Sequence, residues 1–290
     1  MRTKPLVVIV GPTASGKSNL AMQIAQKHNG EIICADSRTI YKGLDIGTSK
    51  PSHQERLLVK HHLLDICEPD QSFNAAEFKL LANKAIEDIS DRGKLPILVG
   101  GTGLYVHAVV FDYQFGISPD TNKRQYLEQL SVEQLQHLSV AKGIELPLNN
   151  KNKRHLVRAI ELSGVVRQEL VPRDNTLQVG VVLSKTELRT RVEDRVDAMV
   201  QRGLLTEVDT LFSRYGSKAR GLQTIGYKEF ELFLEGLQSL EDTKELVVKN
   251  TLNYAKRQIT WFRRNPYIKW FESPEPLISE VDTFMSQQKT

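Results

Sequence analysis

Cysteine is nearly absent from this 290-residue chain: only Cys34 and Cys67 occur, with no CxxC spacing. That excludes a disulfide framework and argues against a zinc site, and lone thiols fit a reducing, cytoplasmic setting. Long apolar runs are missing as well. The first, residues 6–10, is too short for the apolar part of a signal peptide, and no later one is long enough to span a bilayer, so no membrane association is expected. Neither internal repeats nor low-complexity tracts occur. A strong charge excess is also lacking: the formal net charge is +4, so any affinity for nucleic acid must reside in local clusters. The length suits one large domain, or a core domain carrying a smaller insertion. Nothing in the composition calls for an obligate protein partner, and a monomer is the default expectation.

What is present starts directly after the apolar run 6–10. Gly11, Pro12, Thr13, Ala14, Ser15, Gly16, Lys17 and Ser18 match every fixed position of the phosphate-binding pattern G-x-x-x-x-G-K-[ST], between a strand and a helix. Such a turn aims successive backbone N–H groups inward, and the helix behind it adds a positive dipole end, so a pyrophosphate can be cradled there. Lys17 would reach its oxygens and Ser18 would hold Mg²⁺. A Gly-rich turn ahead of a core helix is the bland alternative.

The order of elements reads as α/β: a P-loop NTPase-like parallel sheet flanked by helices, with a small inserted helical subdomain and a helical C-terminal region. Helices are predicted over residues 17–28, 74–91 and 103–111, and strands over 31–34 and 95–99. Beyond Phe111 the pattern changes to short helices with polar breaks at 117–120 and 146–150. A core over 1–115, an inserted subdomain over 116–170 and a final part over 171–290 are therefore expected. In that last part a return strand is predicted over 179–183, and everything after Thr186 reads as helical, broken at glycines. Ligands should gather where the loops after Val10, Cys34 and Val99 meet, at the carboxyl ends of the strands.

Those loops carry little acid. Many P-loop phosphotransferases use a second strand ending in Asp to hold Mg²⁺, yet here the strand 95–99 runs into Gly100, Gly101 and Thr102. The one carboxylate delivered by a strand end near the phosphates is Asp36, which suits a general base acting on an acceptor, a Mg²⁺-side role being the alternative.

Two basic stretches contain no acid at all. Residues 146–160 hold Lys151, Lys153, Arg154, His155 and Arg158; residues 251–271 hold Lys256, Arg257, Arg263, Arg264 and Lys269, interleaved with Tyr254, Trp261, Phe262, Tyr267 and Trp270. Cations mixed with aromatics suit phosphate contact and base stacking on RNA. Part of the second stretch must face a core, because Val248, Leu252, Ala255, Ile259 and Phe262 recur at helical spacing.

Taken in order, residues 11–18, Asp36-Ser37, 40–48 (IYKGLDIGT), 61–65 (HHLLD), 99–105 (VGGTGLY), 191–196 (RVEDRV), 225–228 (IGYK) and 256–261 (KRQITW) resemble the bacterial tRNA dimethylallyltransferase, or tRNA isopentenyltransferase, family. Ser18 stands where Thr is common, which keeps the hydroxyl; Lys185 stands where Arg is common, which loses bidentate phosphate binding. The resemblance implies transfer of a dimethylallyl group from dimethylallyl diphosphate to N6 of the adenosine next to the anticodon, position 37, in tRNAs reading codons that begin with U. It implies the anticodon stem-loop of tRNA as partner and Mg²⁺ as cofactor.

The chemistry asks for positive charge on the leaving diphosphate, a proton acceptor at N6 and exclusion of water. Lys17, with Arg191 and Lys185 from the helix after the return strand, would serve the first, Asp36 the second, and Thr102 would orient adenine or diphosphate. For Arg191 the alternative is an i,i+4 ion pair with Glu187, and for Arg195 a pairing with acids of the same helix. The resemblance places Asp36, Ser37, Arg38, Thr39 and Thr102 around the flipped base. It places Arg124, Arg154, His155, Leu156, Val157, Arg158, Gln223, Thr224, Ile225, Gly226, Tyr227, Lys228, Lys256, Arg257, Gln258 and Arg263 on the RNA. His61, His62 and Asp65 offer a metal reading that lacks further ligands at suitable spacing. Three rival functions remain: a P-loop small-molecule kinase, a prenyltransferase acting on free adenine nucleotides, and a non-catalytic RNA-binding protein with a vestigial loop.

Overall fold

The computed structural model describes residues 4–115, 121–162 and 171–288. The chain opens with β1 (Leu6–Val10), α1 (Lys17–Lys27), β2 (Gly30–Cys34), α2 (His53–Leu58), β3 (His61–His62), α3 (Ala75–Asp91), β4 (Leu95–Gly100) and α4 (Gly103–Val110). Next come α5 (Thr121–Gln129), α6 (Val132–Ala141) and α7 (Lys153–Glu161). The last part holds β5 (Thr176–Val181), α8 (Lys185–Gln201), α9 (Leu204–Tyr215), α10 (Glu231–Leu234), α11 (Leu240–Phe262), β6 (Lys269–Phe271) and α12 (Pro274–Ser286). The six strands form one parallel sheet in the order β3-β2-β4-β1-β5-β6.

β1 sits at an interior position with all five residues fully buried, which is why it reads as an unbroken apolar run and not as an alternating one. On one side α1 and α12 close over the strands through Leu20, Ile24, Leu277 and Val281. A second core joins α8, α9 and α11 to the segment after β2 through Ile40, Leu44, Val192, Val196, Val208 and Val247. The parallel order delivers the loops after β1, β2 and β4 to one end of three adjacent strands. That junction is tight: a Cβ added at Gly100 would lie 2.0 Å from the Ala35 carbonyl oxygen. Gly100→Ala should therefore destabilise the protein by about 1–3 kcal/mol, read as a lowered midpoint in urea unfolding.

Several elements differ from the sequence reading. The return strand starts three residues earlier and ends two earlier than predicted. β6 interrupts a region expected to be wholly helical; it has three residues, pairs with residues 179–181 at the sheet edge, and is too short for a periodic signal. Trp270 lies across Gly180, where a Cβ would come 2.6 Å from its ring, so one of the aromatics assigned to RNA stacking covers the sheet instead. α2 and β3 were not anticipated, again for shortness.

Contacts divide the chain into Met1–Asp112 with Pro172–Thr290, and Tyr113–Val171. The smaller unit is helical around Leu127, Leu135, Leu156, Val157 and Ile160. Leu156 and Val157, expected on the RNA, are thus core residues, because α7 is amphipathic and turns them inward while Arg154 and His155 stay exposed. Arg124 and Arg158 both lie against the buried Glu161 carboxylate, at 3.5 and 3.2 Å. The predicted break at 117–120 falls outside the described residues.

Candidate active site

The loop between β1 and α1 makes two left-handed turns: Ala14 has φ +62°, uncommon for a residue with a Cβ, and Gly16, which caps the start of α1, has φ +84°. No side chain caps α1, so its first N–H groups and dipole are open to an anion. Lys17 Nζ donates to the Pro12 carbonyl at 3.0 Å, curling the side chain over the loop. Burial lowers its pKa to about 8, with the Asp36 carboxylate pulling the other way.

Asp36 stands two residues beyond β2, where its Oδ1 accepts the Arg38 N–H at 2.8 Å; this local turn fixes the carboxylate. From the β4–α4 turn, Thr102 N–H donates to the Ala35 carbonyl at 3.2 Å and Thr102 Oγ1 accepts the Ser37 N–H at 3.0 Å. Burial raises the pKa of nearby Tyr254. The three loop ends therefore meet.

Two clefts share this junction. One, of about 430 Å³, opens over the P-loop and is lined by Lys17, Ser18, Cys34, Thr39, Arg191 and Arg202 among others. The second, of about 340 Å³, is walled by Ser37, Arg38, Gly47, the 223–226 segment, Lys228, Thr251, Tyr254 and Arg257. Thr13, Asp36, Thr48 and Arg195 line both. Asp36 is the one carboxylate common to them among the described residues.

Most predicted residues fall on these surfaces, and several do not. Arg191 does both things considered for it: Nη2 pairs with Glu187 at 2.8 Å, and Nη1 reaches the Ser15 carbonyl at 3.4 Å over the phosphate cleft. Lys185 lines neither cleft; six residues before Arg191 is roughly 240° around a helix, so it faces elsewhere. Thr39 is buried and opens onto the phosphate cleft instead of the second one. Tyr227 is wholly buried, its hydroxyl 2.6 Å from Glu207. Gln258, expected on the RNA, is a buried strut: its Oε1 accepts the Thr13 N–H at 2.9 Å and its Nε2 donates to the Gly101 carbonyl at 2.9 Å, tying the P-loop to the Thr102 turn. Lys256, Arg257, Arg263 and Arg264 are exposed along the end of α11 and just after it.

Arg195 is the site residue the sequence reading missed. Burial lowers its pKa while Asp36 opposes the shift, and its Nη2 lies 3.4 Å from the Thr48 carbonyl. The signal was there: Arg195 follows Arg191 by one helical turn and so shares its face.

The His61, His62 and Asp65 set does not converge. His61 contacts the Val59 carbonyl, His62 pairs with Glu31, and Asp65 pairs with Lys50 and Arg56. No group of three or more His, Cys, Asp or Glu placed to hold a metal exists among the described residues. Mg²⁺ differs in that it takes one or two protein oxygens and fills its shell with phosphate and water; the exposed Ser18 hydroxyl beside the P-loop fits that requirement.

The site is thus a P-loop with no carboxylate on β4, joined through Asp36 to a second cleft. The comparisons agree in kind. The family described as IPP transferase matches residues 39–265. A tRNA dimethylallyltransferase of Anoxybacillus flavithermus is 40% identical over 95% of this chain and 92% of its own length, and one of Bacillus subtilis is 38% identical over 96% and 94%. The solved tRNA isopentenylpyrophosphate transferase of Bacillus halodurans superposes with a TM-score of 0.76 at 37% identity, covering 98% of this chain and 96% of that one. A eukaryotic dimethylallyltransferase acting on tRNA superposes with a TM-score of 0.80 at 29% identity, covering 99% of this chain and 78% of that one. The chain belongs to the IPP transferase family. No helix among the described residues is long and apolar enough to cross a membrane.

Proposed function

We propose that this protein transfers a dimethylallyl group from dimethylallyl diphosphate to N6 of the adenosine beside the anticodon of tRNA, releasing diphosphate. The carrying observation is Asp36, shared by a cationic cleft over the P-loop and a second cleft bordered by the basic face of α11. A bond forms between N6 and the allylic carbon while the carbon–oxygen bond to diphosphate breaks, the electron pair leaving with the diphosphate. The N6 proton goes to Asp36.

Adenine N6 is a weak nucleophile, so most of the help must go to the leaving group. The P-loop amides, Lys17, Arg191 and Arg195 supply positive charge where negative charge develops on the leaving diphosphate. Ser18 would hold Mg²⁺, which would add charge of the same sign. Thr102 lines neither cleft; its Oγ1 accepts the Ser37 N–H, so its role is to hold the turn beside Asp36. Reaching it requires the adenine to leave its stack, at a cost of about a few kcal/mol. Lys228, Arg257, Lys256, Arg263, Arg154 and His155 are the exposed groups whose phosphate contacts would offset that cost.

Lys17 gives a pH signature. A cation binds the diphosphate and its pKa in the free enzyme is about 8; below that it is already charged, above it a proton must be taken up on binding. Donor affinity should weaken as pH rises through about 8, by up to about tenfold per unit. Lys17→Arg, which stays charged, should flatten the profile, as titrated by donor binding without tRNA.

The acceptor is tested with labelled dimethylallyl diphosphate, Mg²⁺ and unmodified tRNA, with AMP and ATP present as competing acceptors. Label in tRNA alone supports the proposal. Label in AMP or ATP would move the protein to the prenylation of free nucleotides.

A further inference from the structure

Glu207, on α9, belongs to neither cleft, yet its carboxylate joins two segments that line the second one. Its oxygens accept the backbone N–H groups of Asp45 at 3.1 Å, Ile46 at 2.8 Å and Gly47 at 3.1 Å. The same carboxylate accepts the Tyr227 hydroxyl at 2.6 Å. Three successive N–H groups turned to one point form an anion-binding concavity, and Glu207 is its resident anion.

The two groups of partners belong to two segments that line this cleft: Gly47 and Thr48 from the first, and residues 223–226, directly before Tyr227, from the second. The two segments pack against each other. A Cβ on Gly47 would lie 2.5 Å from the Tyr227 ring, and Gly226, at φ +93°, faces the Gly47 carbonyl, 3.4 Å from where its own Cβ would be. The 223–226 segment is fastened independently, since buried Glu229 accepts the Gly226 N–H at 2.9 Å and Asn250 of α11 at 2.8 Å. Asp45 has a similar second anchor on Lys50. Each segment therefore has its own attachment to the core, and Glu207 supplies the link between them.

We propose that Glu207 is a positioning residue that fixes the shape of the acceptor cleft by binding two of its lining segments with one carboxylate. This rests on the reading of that cleft as the place of the tRNA adenosine. Loss of the link should weaken acceptor binding and leave the diphosphate site, held by the P-loop and Gln258, as it is.

The test measures steady-state transfer to an anticodon stem-loop for the wild type, Glu207→Gln, Tyr227→Phe and the double variant, with donor binding measured separately. Glu207→Gln, which presents an NH₂ to N–H groups and keeps one acceptor oxygen, should raise KM for the stem-loop about tenfold. Its donor affinity should stay within about twofold and kcat should be nearly kept. Tyr227→Phe, which removes one hydroxyl from a still-folded core, should raise the same KM by a few-fold and add nothing in the Glu207→Gln background, since the link is already broken. Unchanged stem-loop KM in both single variants, effects that multiply in the double variant, or an equal loss of donor affinity would each overturn the proposal. A wild type that modifies no stem-loop would instead overturn the reading of the cleft.

Discussion

Asp36→Ala lowers turnover at saturating donor and tRNA by about a hundredfold or more, while tRNA affinity stays close to the wild-type value. The magnitude is that of a general base, and the geometry supports assigning it here: Asp36 is the sole carboxylate lining the second cleft among the described residues and also borders the phosphate cleft. Asp36→Asn separates its two functions. The amide oxygen can still accept the Arg38 N–H that shapes the turn, but the side chain can take no proton. Equal loss in both variants assigns the effect to proton transfer; an active asparagine variant would assign it to the turn. Single-turnover measurements on preformed complexes check this, because they separate chemistry from binding.

Removing three cations at the end of α11 should act on binding instead. Lys256, Arg257 and Arg263 are exposed, and Arg257 both lines the second cleft and lies over the Tyr254 ring at 5.7 Å. If each neutralises one phosphate, the triple alanine variant loses about two to three units from the slope of log affinity against log salt. tRNA binding weakens accordingly, most at low salt, while kcat at saturation is nearly kept. Titration of tRNA binding across a salt series decides it, and an unaltered slope would remove this surface from the RNA interface.

Much of this arrangement could be read from the chain because a parallel sheet forces it. Once residues 6–10, 30–34 and 95–100 are adjacent parallel strands, the P-loop, Asp36 and Thr102 must converge at their carboxyl ends. Residues 6–10 and 95–100 are interior and apolar throughout, so their signal is strong; residues 30–34 carry the buried Glu31. β3 and β6 have two and three residues and no period to detect. The polar residues read least well. The resemblance placed Gln258 and Tyr227 on the RNA, yet each is buried and hydrogen-bonded within the protein, to Thr13 and Gly101 for one and to Glu207 for the other. Arg195 failed in the opposite sense: acids on its own helix offered it a local partner, and only the folded chain sets it beside Asp36. Local patterns identify elements and loop chemistry, whereas the inward or outward direction of a polar side chain depends on what packs against it.

Dimethylallyl transfer requires the P-loop to cradle a diphosphate that departs, not a phosphate that is transferred. The direct test is product stoichiometry: wild-type protein, dimethylallyl diphosphate, Mg²⁺ and unmodified tRNA, with inorganic pyrophosphate and prenylated adenosine quantified together. One pyrophosphate should appear for each modified adenosine, both should form about a hundredfold more slowly or less in Asp36→Ala, and added ATP should contribute neither phosphate nor energy. Phosphorylated product or orthophosphate formed from ATP, with no pyrophosphate linked to a modified base, would contradict the account.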